Sequence, residues 1–238
     1  YQYTPNNETT FNVAVFGNQN EHGMDNVSQR STMDPMARLN TVDAKSLGFE
    51  LNMNTRLSWA EINAGFDINN EQHNSTISNP VLGNLTIANF NDVSRDHQSL
   101  FAEISDQQHR LGWLIGARYT QIDSNAGNVA SSMAMMNPNV AALVDAFNQA
   151  DRDLNHDMLD ITVHTDYAFN EVLTGSFAIG QKTRAPSYTE LYTWLPLTIS
   201  AGLADGFTYL GNLDLDNETA HQIDMGLDWH QGDYTLSS

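Results

Sequence analysis

Alternation of apolar and polar residues constrains the fold of this chain more than any other feature. Between Leu159 and Phe169 most odd-numbered residues are apolar and most even-numbered ones are polar. The pattern returns at Leu47–Trp59 and at Ile223–Trp229. Because successive side chains of a β-strand point to opposite faces, a period of two residues predicts strands with one apolar face. Further strands are predicted near residues 10–17, 60–70, 98–106, 110–122 and 173–184.

The connections between these predicted strands fall into two length classes. Short turns are expected near residues 58–60, 106–108, 170–171 and 231–233. Long segments are expected near 20–45, 72–97, 123–157 and 185–217, each beyond the roughly 12 to 15 residues usual for structureless loops in compact domains. Short periplasmic turns that alternate with extended extracellular loops are typical of outer-membrane barrels. We therefore expect every long segment to lie on the extracellular side.

Aromatic residues near the short turns favour the same fold. Trp59, Trp113, Phe169 and Trp229 fall on the apolar face within a few residues of a turn, where the aromatic girdle of a membrane barrel lies. A soluble β-sandwich with inward aromatic residues is the alternative, but sandwiches seldom carry several loops of this length. The expected fold class is therefore all-β: an antiparallel transmembrane β-barrel segment with long extracellular loops.

One helix is predicted inside the third long segment, at residues 138–150. Asn137 suits the N-cap position and Pro138 the first helical position. The apolar residues that follow have helical spacing: Val140, Leu143, Val144 and Phe147.

Charge and composition narrow the class of partner. The 238 residues include 29 acidic and 10 basic side chains, for a formal charge of −19, which argues against binding to nucleic acid or to an anionic membrane surface. The sequence has no Cys, so any metal site in it lacks thiolate ligands. It also contains neither a signal-peptide pattern nor an apolar run near the roughly 20 residues of a membrane helix. Because one strand-and-turn pattern runs through residues 1–238, we expect a single architecture that is an internal piece of a longer protein.

Ligands for soft metals are concentrated in the predicted long segments. Thioethers select Cu(I), and imidazole suits copper in either oxidation state. His22 and Met24 are the primary candidates, because an i, i+2 spacing in an extended chain places both side chains on the same side. Packing between folded loops is the alternative role for methionine in such segments. The weaker candidates are Met33, Met36, His156, Met158, Met133, Met135 and Met136.

Two blocks of sequence resemble TonB-dependent outer-membrane receptors. The first is His22-Gly23-Met24-Asp25-Asn26 with Met33 and Met36 beyond it, which resembles the start of a Met-rich loop in the copper receptors of that family. The second is Arg184-Ala185-Pro186-Ser187-Tyr188-Thr189-Glu190-Leu191, followed by Gly211-Asn212 and Glu218, which resembles the barrels of the family irrespective of cargo. In this second block we expect Pro186 to end a strand and Glu190 to pair with Arg184.

The resemblance implies import of copper, as the ion or on a carrier, across a bacterial outer membrane. It implies His22 and Met24 as ligands, the Met-rich loops as secondary capture sites and membrane lipid around the barrel. Energy would come from a TonB complex through an N-terminal plug that this chain lacks.

Other functions have less support in the sequence. No organic cofactor and no enzyme activity are expected, since no Gly-x-Ser-x-Gly or comparable context surrounds any Ser. Within the family, the alternative cargo is a siderophore, haem or another chelate. From a different class, the alternatives are a passive porin and an extracellular adhesin.

Overall fold

The computed structural model describes residues 1–27, 34–197 and 207–237. Two helices, α1 (Pro138–Gln149) and α2 (Tyr188–Tyr192), and a 3-10 helix (Ser132–Met135) lie in the connections. The strands are β1 (Gln2–Asn6), β2 (Thr9–Asp25), β3 (Leu39–Arg56), β4 (Glu61–Ser78), β5 (Thr86–Gln108), β6 (Leu111–Asn125), β7 (Ala130–Ser131), β8 (Leu154–Ala168), β9 (Leu173–Arg184), β10 (Trp194–Leu195), β11 (Tyr209–Leu210), β12 (Glu218–Gln231) and β13 (Tyr234–Ser237).

One antiparallel sheet dominates the molecule. Its strands are hydrogen-bonded in the order β1-β2-β3-β4-β5-β6-β8-β9-β12-β13, and β7 pairs with β5. A second, two-stranded sheet is formed by β10 and β11. Each strand of the main path therefore pairs with its neighbour in the chain, apart from the short strands of the connections. This meander confirms the predicted antiparallel architecture.

The strands extend further than predicted, so the prediction was wrong for two of the four long connections, which span only residues 26–38 and 79–85. The other two, at 126–153 and 185–217, are long as predicted. The short turn predicted at 106–108 was also misplaced, because β5 continues to Gln108 and turns at His109, which has a positive φ of 54°. In β2 and β4 the outward residues become polar near the strand ends, so the period-two signal disappears while the backbone ladder continues.

The outward face of the sheet carries an apolar band. On β6, the outward residues are apolar from Leu111 to Tyr119 and polar from Gln121 onward. This length matches the roughly 9 to 11 residues that a tilted strand needs to cross a bilayer. Outward members of the band on other strands are Val13, Val15, Leu47, Phe49, Leu51, Phe66, Ile68, Leu100, Ile161, Val163, Phe177, Ile179, Ile223, Met225 and Leu227.

The inward face is polar and curved. Inward side chains from β2 to β6 line one open hollow of about 720 Å³, with Asn12, Glu50, Asn63 and Arg118 on its wall. Because five strands share this hollow, the sheet must be concave on that side. Two inward rings, Phe16 and Phe101, lie over glycines of a neighbouring strand: a Cβ added at Gly48 or Gly65 would collide with them.

The buried core lies where the connections pack against the ends of the strands, rather than along the whole wall. One cluster joins Trp194, Val140 of α1 and strand residues Ile77 and Ile87. A second joins Leu191 and Tyr192 of α2 to Val93 of β5. The predicted helix is confirmed, with Asn137 as its N-cap. Among the described residues, no helix is long and apolar enough to cross a membrane.

Candidate metal-binding site on the inner face

His22 and Met24 lie within β2, so their predicted position in a long loop is wrong. His22 is paired with Val42 of β3 and Met24 with Asn40. The extended backbone puts both side chains on the inward face, beyond the apolar band, and 55% of the Met24 surface is exposed. An imidazole and a thioether are thus presented side by side on the wall.

The two residues that follow Met24 close the connection to β3. Asn26 Oδ1 accepts the Arg38 backbone N–H at 2.8 Å, and its Nδ2 donates to the Met36 carbonyl at 3.3 Å. Asp25 Oδ1 accepts the Val27 N–H at 2.9 Å. The Asp-Asn pair therefore fixes backbone beside the candidate ligands. Met36 is half-buried, and Met33 lies outside the described residues.

A second histidine shares this region of the inward face, and sequence analysis missed it. His73 of β4 packs edge-on against Phe90, with ring centroids 5.0 Å apart, and lies 5.2 Å from the Tyr188 ring of α2. Burial lowers the pKa of His73, and the nearby His22 imidazole lowers it further. Burial, with a smaller contribution from the Glu71 carboxylate, raises the pKa of Tyr188. At neutral pH both rings are therefore uncharged.

The other His-x-Met pair has structural contacts. His156 and Met158 lie within β8, so the long segment predicted near 123–157 ends before both of them. Met158 Sδ accepts the Ala185 backbone N–H at 3.0 Å, and His156 Nε2 lies 3.3 Å from the Leu215 carbonyl oxygen. These two side chains thus hold both ends of the 185–217 connection against the wall, which favours a structural role for the pair.

The methionines of the third connection have different environments. Met133 packs against the cluster that contains Val140 and Trp194. Met135 and Met136 are 90% and 71% exposed. Only the latter two present their thioethers to solvent.

Carboxylates and imidazoles of the described residues do not form a conventional metal-binding site. Within residues 1–27, 34–197 and 207–237, no three His, Cys, Asp or Glu side chains are arranged to hold a metal ion. His22 and Met24 offer an imidazole nitrogen and a thioether sulfur, which are ligand types that suit copper.

The second block of family-like sequence forms an interlocked corner at the end of β9. Arg184 Nη1 and Nη2 donate to Glu190 at 2.8 and 3.0 Å, which confirms the predicted pair, and its Nε donates to Glu218 at 3.1 Å. The Ser187 N–H and the Arg184 guanidinium both donate to Glu190, and the guanidinium is the larger of the influences that lower the Glu190 pKa to about 2. Ser187 also caps α2 by accepting the Glu190 N–H.

Gly211 and Asn212 complete this corner. The Gly211 N–H donates to the Thr193 carbonyl at 2.6 Å, and the Asn212 N–H donates to the Glu190 carbonyl at 2.9 Å. A Cβ at Gly211 would collide with the Leu191 backbone. Glycine is required here because two backbone segments approach closely.

These features agree with a match along the whole chain. A family model described as TonB dependent receptor-like, beta-barrel, matches residues 1–238. The chain belongs to the TonB-dependent receptor family. Together with the fold shared with outer-membrane transporters, this places the TonB-dependent receptor segment in the bacterial outer membrane. The family consists of receptors and transporters rather than enzymes.

Solved structures share the fold of this TonB-dependent receptor segment at low identity. The copper transporter OprC is 19% identical with a TM-score of 0.70, over 96% of this chain and 34% of OprC. The ferric citrate transporter FecA, in its unliganded form, is 11% identical with a TM-score of 0.63, over 96% and 31%. The siderophore receptor PirA from Pseudomonas aeruginosa is 10% identical with a TM-score of 0.56, over 99% and 43%.

The three matched structures are much longer than this chain. The chain spans between 31% and 43% of the length of the three structures. At this identity the likeness shows the fold and not the cargo. No curated protein matches significantly.

Proposed function

We propose that residues 1–238 form the central part of the barrel of a receptor that imports copper, as the ion or on a copper-loaded carrier. The observation that carries this proposal is the pair of His22 and Met24 on the inward face of β2, beyond the apolar band. Neither side chain makes a hydrogen bond within the described residues, so the donor atoms of both are available to a ligand. Thioether and imidazole together favour copper over hard cations.

Further features support this proposal. The fold likeness includes a copper transporter, and the exposed thioethers of Met135 and Met136 are suited to secondary capture. We assign the same weaker role to Met33, Met36 and Met133. His156 and Met158 are the weakest of the candidate copper ligands. A TonB complex acting through a plug domain would supply the energy, and membrane lipid would surround the apolar band. No organic cofactor and no enzyme activity are proposed.

A chelate such as a siderophore or haem is the second candidate cargo. The specific observation in its favour is Arg95, whose buried Nε has no hydrogen-bond partner among the described residues. Arg95 shares a hollow of about 200 Å³ with His73 and Tyr188. A cation beside aromatic rings suits an anionic organic chelate. The fold likeness to FecA and PirA is compatible with this cargo.

Copper titration of the full-length receptor in detergent separates the two candidates. We expect near-stoichiometric copper by mass spectrometry in the wild type, with loss in both His22→Ala and Met24→Ala, because each removes a donor atom. Met225→Ala, which removes a thioether from the outward apolar band, is the matched control and should retain copper. Unchanged copper in the two β2 variants, or none in the wild type, would contradict the copper proposal and favour an organic chelate.

A further inference from the structure

His22 and His73 occupy the same patch of the inward wall. In the register of the sheet, His22 is aligned with Val42 and Ser75, and the adjacent inward row is formed by Asn20, Ala44 and His73. Strands lie about 4.8 Å apart, so β2 and β4 are about 10 Å apart, with the two histidines offset by two residues. The inward residues between them are Val42 and the small Ala44. The hollow that His73 lines reaches Ala44 and Asn20, the inward neighbour of His22 on β2.

The ring nitrogens of these two histidines differ from those of the other inward histidines. His97 is bonded to Ser99, His156 to Leu215 and His164 to Asp166. His22 and His73 make no hydrogen bond within the described residues. Within the described residues, neither His22 nor His73 has a ring nitrogen engaged by a protein group, so each can offer a lone pair to a metal ion.

The surroundings of His73 hold its ring in place without using its nitrogens. Phe90 and Tyr188 contact the ring and also each other, with centroids 5.5 Å apart. Tyr188 is brought to the wall by α2, whose position is fixed by Arg184 and Glu190. Aromatic packing of this kind orients a ligand and reduces the entropy lost on binding.

The geometry points to His73 as a second imidazole ligand of the ion that His22 and Met24 bind, which gives a site with two nitrogens and one sulfur on the barrel wall. This inference rests on the proposed copper function and names a residue that completes its site. Two imidazoles allow the site to hold Cu(II) as well as Cu(I), since imidazole suits both states whereas a thioether selects Cu(I).

The test uses the full-length receptor in detergent with His73→Phe, which keeps an aromatic ring between Phe90 and Tyr188 but removes the ligand nitrogens. With Cu(II) as the probe, nitrogen hyperfine splitting in the electron paramagnetic resonance spectrum should fall from two nitrogens in the wild type to one. With Cu(I), competition against a chelator should show an apparent Kd at least tenfold weaker. Loss of a neighbour that only orients a ligand already costs roughly 10- to 100-fold in affinity.

His97→Phe is the matched control, since His97 is also inward but bonded to Ser99, and it should leave both measurements unchanged. Two nitrogens and an unchanged Kd in His73→Phe would overturn the inference. If His22→Ala still abolished binding in that case, the copper function would stand without His73. Absence of copper from the wild type would contradict both.

Discussion

Arg184 shows how one side chain organises a corner of the molecule. Its guanidinium binds Glu190 with two hydrogen bonds and Glu218 with a third, and so joins the end of β9, α2 and the start of β12. Both carboxylates raise the pKa of Arg184, Glu190 more strongly. Such a bidentate pair has a more defined geometry than an ordinary surface ion pair.

Glu190 gives this corner a predictable response to acid. Its pKa in the folded protein, about 2, lies below its ordinary value of 4.5, so its contribution to stability is complete above about pH 4.5. That contribution is lost as the pH falls from there toward 2. Hydrogen exchange of the segment 185–197, corrected for intrinsic rates, should therefore be constant from pH 7 to about 4.5 and then rise.

The substitution Glu190→Gln removes the titrating group, so exchange should be faster at pH 7 and show no acid-dependent step. Glu218→Gln keeps the bidentate pair and should preserve most of the step. An acid step of the same size in Glu190→Gln would show that another group is responsible.

At the scale of single residues, the sequence predicted contacts between near neighbours but not those across the sheet. The Arg184–Glu190 pair follows from a spacing of six residues and a known motif. His73 was not predicted because its position near His22 depends on the register of three strands. The two histidines are 51 residues apart in the chain. The sequence does contain a signal for it: if the alternation of β4 is continued beyond the outward residue Ile68, His73 falls on the inward face.

At the scale of secondary-structure elements, the connection 185–217 is held at both of its ends by contacts with β8. Met158 and His156 of β8 hold Ala185 and Leu215, and Asn217 Nδ2 donates to the Asp157 carbonyl at 2.8 Å. Between these ends, Gly211 lies against the backbone of Leu191. The described parts of this connection, 185–197 and 207–217, are therefore fixed by close backbone contact as well as by an apolar cluster.

Substitution of Gly211 tests the close backbone contact. In Gly211→Ala the added methyl group meets the Leu191 backbone, which cannot rotate away as a side chain does, so we expect α2 to be displaced and overpacking to cost about 1 to 3 kcal/mol. Limited proteolysis should cut the 185–217 connection faster than in the wild type. Gly17→Ala, where a Cβ meets only ordinary contacts, should behave as the wild type. Equal protection in both variants would contradict the contact.

The lengths of strands were harder to predict than their existence. Within the apolar band, burial against lipid imposes the alternation of residue types, and there the predicted strands are confirmed. Beyond the band, Asn70, Gln72 and Asn74 of β4 face outward with Glu71 and His73 facing inward. When both faces are polar no periodicity marks the strand, so only the backbone ladder reveals that it continues.

For the molecule as a whole, the distribution of apolar surface indicates the environment in which it folds. Large apolar side chains are exposed on the outward face of the wall, whereas the buried clusters lie among the connections. A water-soluble domain would bury the wall and expose the loops. In the described residues the sheet ends at β1 and β13 without closing, and barrels of the larger outer-membrane transporters have about 22 strands.

A lysine placed at two depths on β6 tests the position of the membrane directly. Ile115 lies at the centre of the outward apolar stretch Leu111–Tyr119, and Gln121 lies just beyond it. In lipid vesicles, Ile115→Lys should lower the free energy of unfolding by about 2 to 4 kcal/mol, whereas Gln121→Lys should cost about 0 to 1 kcal/mol. Urea titration of the full-length receptor in vesicles measures both, and equal costs at the two depths would contradict the assignment of the band. If this face were exposed to water, lysine would be tolerated at both positions. A cost that depends on depth therefore indicates that the outward face is surrounded by lipid.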